Sequence, residues 1–232
     1  MIRKFFSYAA ALVGLILAAF LAYQGYVLVK LWWWTDHNPS STAFMAARLE
    51  VMREKNPVAR LKSQWVPYLK ISDHLKRAIL VAEDDKFVDH EGFDWDGIQK
   101  ALEKNQKKGR VVAGGSTISQ QLAKNLFLSG ERSLTRKGEE AIITVMMEWM
   151  MDKERILEIY LNVIEWGEGV FGAEAAARHY FGVGAGQLSA EQAAKLAAMV
   201  TRPRFYDRNR NAPWLLKKTQ IILERMPRAQ LP

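Results

Sequence analysis

Hydrophobic positions run almost unbroken near the N-terminus and fall into a helical period further on. From Phe5 to Val29 no charged residue occurs, and the run includes LVGLILAAFLAY. About 20 apolar residues cross a bilayer as a helix. Arg3 and Lys4 precede the run and Lys30 follows it. Trp32, Trp33 and Trp34 come next, as in an interfacial aromatic belt. A cleaved signal peptide is the competing reading, left open by Ala18, Ala19 and Ala22, but its apolar core spans roughly 7–15 residues. Length and the tryptophan cluster favour a retained anchor over residues 1–34. The basic residues ahead of the run put the N-terminus in the cytoplasm and the rest of the chain outside.

Residues 35–62 read as a linker and membrane-proximal segment, with a polar turn at TDHNPSST and a short helix from Met45 to Lys55 that ends before Pro57. Lys62 to Leu69 looks irregular or extended. From Ser72 onward helical spacing dominates, and no alternating strand run of useful length appears. Ser72 or Asp73 can cap a helix whose apolar face is Leu75, Ala78, Ile79 and Ala82. Asp94 can cap the next helix, whose end KNQKKGR (104–110) reads as a solvated loop. Ser116 can cap a third helix with Ile118, Leu122 and Leu126 inward. Helices are also expected from Ser133 to about Met151, Lys153 to Ile164, Glu174 to Tyr180, Ser189 to Val200 and Pro213 to near Met226. The architecture is all-α: one lobed domain, residues 63–232, behind one membrane helix.

Composition narrows the function only slightly. The chain has 232 residues, 49% hydrophobic and 25% charged, which fits a globular domain and not a disordered one. A net charge of +8 calls for an anionic partner, whether nucleic acid, phospholipid head groups or a phosphorylated substrate. There is no cysteine, so no disulfide framework exists. His37, His74, His90 and His179 are scattered without metal-ligand spacing.

Three clusters carry candidate chemistry. Glu83, Asp84 and Asp85 end the helix that starts near Ser72, where acids oppose the helix dipole at about 0.3–1 kcal/mol each. Fold stability does not select that placement. Glu83 also lies four residues from both Ile79 and Phe87, close to the buried stripe, where desolvation raises a carboxyl pKa and suits general acid or base work. From this cluster alone a solvated acidic helix end is an equal reading, and His90 reads as a structural hydrogen-bonding residue. The second cluster is GGSTISQQLAKN (114–125). Its Gly-Gly turn feeds a helix N-terminus suited to an anion, and Ser116, Gln120 and Lys124 share a face with Gln121 and Asn125 beside them. The third is Arg136 with Glu140, an i,i+4 pair of the kind found on solvated helices.

Together these segments resemble the peptidoglycan glycosyltransferases, a family that includes monofunctional enzymes and the glycosyltransferase domains of bifunctional penicillin-binding proteins. The first motif is matched by Glu83, Asp84, Phe87, His90 and Gly92, and the second by GGSTISQQLAKN, with Ser119 where the family usually has Thr. The third, RKxxEA, is matched by Arg136, Lys137, Glu140 and Ala141. The fourth runs from Lys153 through Ile156, Leu157, Glu158, Tyr160, Leu161 and Asn162 to Gly167, and the fifth from Gly169 to Gly182. The likeness covers about Ser63 to Met226. The few residues left before Pro232 leave no room for a penicillin-binding domain, which points to the monofunctional branch. Two stretches depart from the pattern: TRPRFYDRNRNAP after Val200 is unusually basic, and Glu139 stands beside Glu140.

The resemblance implies a lysozyme-like all-α fold and an inverting polymerase that joins lipid II into β-1,4-linked glycan, releasing undecaprenyl diphosphate. It makes Glu83 the base on the acceptor 4-hydroxyl and Glu140 a second, supporting carboxylate. Lys124 and Arg132 fall beside the donor diphosphate, and Ser116, Gln121, Arg136 and Lys137 bind or position substrate. No cofactor is required, although a divalent cation at the diphosphate is compatible with the chemistry. The implied partners are lipid II, the growing glycan and the membrane, with cell-wall synthesis or division proteins as further candidates and no nucleic acid. The implied location is the bacterial inner membrane, with the catalytic domain periplasmic. A glycan-cleaving enzyme of related fold and a non-catalytic membrane scaffold are the alternatives. The first would not need both Lys124 and Arg132, and the second would not need Glu83.

Overall fold

The computed structural model describes residues 2–110, 114–128 and 133–232. Two compact units emerge, Met1–His37 and Asn38–Pro232. The first is a single helix, α1 (Ile2–Asp36), of 35 residues, about 52 Å long at 1.5 Å per residue. Within its Phe6–Asp36 segment an 18-residue stretch has a mean hydropathy of 2.1, and the segment is long and apolar enough to cross a membrane. Within this unit Lys30 Nζ lies 5.3 Å from the Trp34 ring centroid, and Trp33 stacks on His37 at 3.5 Å.

The second unit begins with α2 (Ala43–Lys55), capped by the Thr42 hydroxyl accepting from Met45 N–H. Segment 35–62 is therefore more than a linker: α2 packs on α5 (Ile118–Phe127). Between them come β1 (Lys62–Ser63), a 3-10 turn at Tyr68–Lys70, α3 (Asp73–Glu83) and α4 (Trp95–Lys108). After α5 follow α6 (Leu134–Met150), α7 (Lys153–Val163), β2 (Glu165–Gly167), β3 (Val170–Phe171) and α8 (Ala173–Phe181). Helices α9 (Ala190–Met199), α10 (Pro203–Arg208) and α11 (Pro213–Arg225) complete the unit, with short 3-10 turns before α9 and after α11.

The all-α expectation holds, with corrections in detail. KNQKKGR is no loop: α4 continues to Lys108 and stops at Gly109, whose φ of 61° suits a glycine cap. Ser72 occupies the N-cap of α3 without a side-chain cap bond, while Asp94 caps α4 by accepting from Gly97 N–H. Thr117, and not Ser116, caps α5, in a reciprocal box with Gln120. The helix α10 was not expected, and neither was the small sheet in the order β1-β3-β2, parallel between β1 and β3 and antiparallel between β2 and β3. Each strand has two or three residues, too short to alternate legibly.

The core forms where apolar stripes meet. Leu75, Ala78, Ile79 and Leu80 of α3, Ala193, Ala194, Leu196 and Ala197 of α9, and Leu215 and Ile222 of α11 are all buried, and these three helices pack mutually. Alanines on α9 allow the close approach. Helix α7 is buried nearly all round, with Ile156, Leu157, Ile159, Tyr160 and Leu161 at 0% exposure, and it packs on α5 and α6. Each large aliphatic side chain so buried contributes about 1.5–3 kcal/mol. Asn162 of α7 clamps the segment before α3: its side chain accepts from Val66 N–H at 2.8 Å and donates to Val66 O at 2.9 Å. Gly172, at φ 82°, lies so close that an added Cβ would sit 2.6 Å from Asn162 O. These ties fix α7 against the segment that leads into α3.

Candidate active site

Glu83 is the last residue of α3, and Asp84 its C-cap. Their chemistries diverge. Asp84 turns away from its own helix end and accepts the N–H of Ile118, at the start of α5, at 2.9 Å. It also receives His90 Nε2 at 3.0 Å. An acid that opposes the dipole of α3 thus sits at the favourable, positive end of α5. The placement of Asp84 is explained by fold stability after all, and His90 is its structural partner, as expected.

Glu83 has no such offset. Its side chain is 11% exposed. Oε2 accepts from Gln121 Nε2 at 3.1 Å, and the Gln121 carbonyl Oε1 accepts from Tyr160 O–H at 3.1 Å. The tyrosine, fully buried, fixes which way the amide faces. Glu83 Oε1 is buried and has no hydrogen-bond partner among the described residues, and Lys218 Nζ of α11 stands 3.8 Å from it. Burial pushes the Glu83 carboxyl above its ordinary range, while Lys218 and the Gln121 hydrogen bond pull it partly back. The same burial pushes the Tyr160 phenol well up, so it remains a neutral donor.

Glu83 lines one of two hollows in this region, and its partner Gln121 lines the other. One, of about 280 Å³, is lined by Glu83, Asp84, Asp94, Gly115, Ser116 and Thr117 among others. Gly115 lets the turn approach α4, since an added Cβ would come 2.9 Å from Ile98 Cα. The other, of about 540 Å³, is lined by Gln121, Lys124, Asn125, Arg48, Arg202 and Arg204 among others. Gln121, which touches Glu83, is thus also part of the second wall. The first hollow is rich in carboxylates and the second in cations, with Glu165 as the one acid among the described residues of its lining. Arg48 Nε and Nη2 lie 2.9 and 3.2 Å from the Glu165 carboxylate. Burial raises the Glu165 pKa, against the opposing pull of Arg48 and Arg204.

Of the sequence-read residues, Glu83, Ser116, Gln121 and Lys124 come together around these hollows. Gln120 does not join them: it is buried, with its carbonyl spent on Thr117 N–H at 3.1 Å. Glu140 lines neither hollow. It is 4% exposed, held by Arg136 Nη1 at 2.9 Å and by Lys137 Nζ. The Arg136–Glu140 pair is therefore a buried carboxylate clasped by two cations and not a solvated helix pair. Arg132 lies outside the described residues. The remaining motif positions brace the site. Lys153 Nζ reaches His90 O and Glu148 and lies 4.6 Å from the Phe87 ring centroid, and Ser119 O–H donates to Glu148.

Four contributors were not read from sequence. Tyr160 is marked in the sequence only as a motif position. Lys218 carries no local signal, because its partner is far away in the chain. Arg202 and Arg204 belong to the basic stretch that departed from the family pattern, and α10, opened by Pro203, presents them to the larger hollow.

The family model described as Transglycosylase matches residues 50–227. A protein of Dechloromonas aromatica named biosynthetic peptidoglycan transglycosylase is 66% identical over 223 residues, covering 95% of each chain. One of the same name from Nitrosospira multiformis is 63% identical over 216 residues, covering 93% of this chain and 94% of its own. A third, from Chromobacterium violaceum, is 60% identical over 232 residues and covers all of both chains.

Proposed function

This chain belongs to the transglycosylase family, and from that premise we propose that Glu83 is the base of a glycosyl transfer that builds peptidoglycan from lipid II. The enzyme is a glycosyltransferase of peptidoglycan synthesis. The acceptor 4-hydroxyl oxygen attacks the donor's anomeric carbon while its proton passes to the Glu83 carboxylate. The bond from that carbon to the diphosphate oxygen breaks, and its electron pair leaves with the lipid diphosphate. Configuration at the carbon inverts.

The observation that carries the reading is the buried Glu83 Oε1, without a hydrogen-bond partner among the described residues, on a carboxylate that lines one hollow and bonds through Oε2 to Gln121 in the wall of a cation-lined one. A glycosyl diphosphate brings its own good leaving group, so one base and several cations suffice. A hydrolase would use two carboxylates flanking the bond, about 5–9.5 Å apart. The larger hollow suits the diphosphate, whose developing charge Lys124 would stabilise, with Arg132, Arg136 and Lys137 as further positioning groups. Ser116, in the smaller hollow, suits the acceptor sugar. Glu140, bound to two cations, is a support for the site and not a second base. A divalent cation would enter with the diphosphate. Helix α1 would anchor the enzyme in the cytoplasmic membrane, N-terminus inside, so that the catalytic unit meets its lipid-linked substrate at the outer face.

The test is incubation of the protein with lipid II. Polymer forms with wild type and not with a folded Glu83→Gln variant. Cleavage of preformed glycan without polymerisation would overturn the reading, and so would full activity of Glu83→Gln.

A further inference from the structure

Lys218 lies beyond the motifs that carry the family likeness, yet among the described residues it is the cation nearest the proposed base. It sits on α11, which packs against both α3 and α9. Its side chain is 20% exposed, and its Nζ stands 3.8 Å from Glu83 Oε1. That distance is an ion-pair contact, too long for a hydrogen bond. The two oxygens of Glu83 are therefore held differently: Oε2 is tied by Gln121, while Oε1 faces a positive charge that does not take up its lone pair.

We infer that Lys218 is a positioning residue of the transfer reaction, its ammonium keeping the buried Glu83 carboxylate ionised and its Oε1 aimed at the acceptor hydroxyl. The inference rests on Glu83 being the base. A carboxylate in so dry a site would otherwise take up a proton and lose its use as a base near neutrality. A hydrogen-bonded lysine at Oε1 would also compete with the acceptor proton. A lysine one ångström further back supplies the field and leaves the lone pair open.

Among the described residues, the other groups around Glu83 do not supply this field by themselves. From α5 come Gln121, which is neutral, and Lys124, a weaker influence than Lys218. From α7 comes Tyr160, a neutral donor to Gln121. Asp84, next in the chain, adds a like charge that works against ionisation. The buried residues of α9 are Ala193, Ala194, Leu196, Ala197, Ala198 and Met199, none titratable. The 3-10 turn after α11 buries only Met226. Burial lowers the Lys218 pKa and Glu83 raises it again, so the two charges hold each other.

The test compares wild type with Lys218→Gln, Lys218→Arg and Glu83→Gln, reading polymerisation of lipid II against pH at saturating substrate. An opposite charge at this range moves a pKa by about one to three. In Lys218→Gln the acid limb of the kcat profile should therefore move up by about one pH unit or more, with kcat near neutrality about tenfold down, activity recovering as pH rises, and KM little changed. Lys218→Arg should keep the limb near wild type. A folded Lys218→Gln protein with an unmoved limb overturns the inference and leaves Glu83 as the base, whereas an active Glu83→Gln removes that reading itself. A second measurement leaves Lys218 in place. In Glu83→Gln the ammonium loses its counter-charge, so an amine-directed acylating reagent should label Lys218 faster at mildly alkaline pH. Unchanged labelling likewise overturns the inference.

Discussion

The Asp84 carboxylate accepts the backbone N–H of Ile118 at 2.9 Å, and this one bond ties the end of α3 to the beginning of α5. Glu83 and Gln121 are placed by those same two helices. Asp84 is nearly buried and also holds His90, so its loss leaves a donor on each side unpaired. Asp84→Ala should lower stability by about 1–3 kcal/mol, the cost of stranding buried groups. Denaturant unfolding at neutral pH measures it. Polymerisation should fall with it, since the Glu83 to Gln121 distance is no longer set. A variant with wild-type midpoint and rate would show that the two helices are aligned by packing alone.

The chain Tyr160 O–H to Gln121 to Glu83 gives a second expectation. Tyr160→Phe removes the hydroxyl that fixes the Gln121 amide, and Gln121→Ala removes the amide. Each should lower kcat, the alanine variant more, by about tenfold or more for a lost bond to an ionised group. The two effects should not add: in a Gln121→Ala background Tyr160→Phe should be close to silent, since it acts through the amide. Additive losses in a double-mutant cycle would mean that Tyr160 reaches the site by another route.

How much of this was legible depends on the range of each contact. Glu83 could be picked out because Ile79 and Phe87, four residues away on either side, mark the buried stripe it joins. Asp84 was misjudged because a carboxylate at one helix end was read without the helix it caps, which lies 34 positions on. Gln120 and Lys124 share a helical face by period, and periodicity cannot tell that Gln120 is consumed in a capping box. Lys218 and Arg48 reach their carboxylates across the fold, at sequence separations over which no local pattern operates. The sheet escaped notice because two-residue strands have no alternation. The basic stretch 201–213 was read as an anomaly, and in space its Arg202 and Arg204 join Arg48 and Lys124 around one hollow.

That hollow supplies a third prediction. If it receives the donor diphosphate, Lys124→Ala should cost about 100- to 1000-fold in kcat, the range for removal of one preorganised donor at developing negative charge. Arg202→Gln and Arg204→Gln, in the same lining, should act mainly on KM and make binding less sensitive to salt. Steady-state kinetics on lipid II at two ionic strengths separate the cases. A Lys124→Ala enzyme changed only in KM would move the diphosphate away from this wall.

The last prediction concerns stability and has a definite sign. Burial, the largest cause, raises the Glu83 pKa in the folded protein above that of the unfolded chain. The folded state then binds this proton more tightly than the unfolded state does. Its contribution to stability is fully present below the unfolded pKa, near 4.3, and is lost as pH rises through the folded value. At neutral pH an ionised Glu83 is therefore a burden on the fold, kept for function. Glu83→Gln should raise Tm at pH 7 while abolishing polymerisation, and the difference in Tm should shrink as pH is lowered toward 4. Thermal unfolding of both proteins across that range decides the matter. An equal or lower Tm for Glu83→Gln at pH 7 would mean that Lys218 and Gln121 more than offset the burial, and that the carboxylate is held ionised at no cost to the fold.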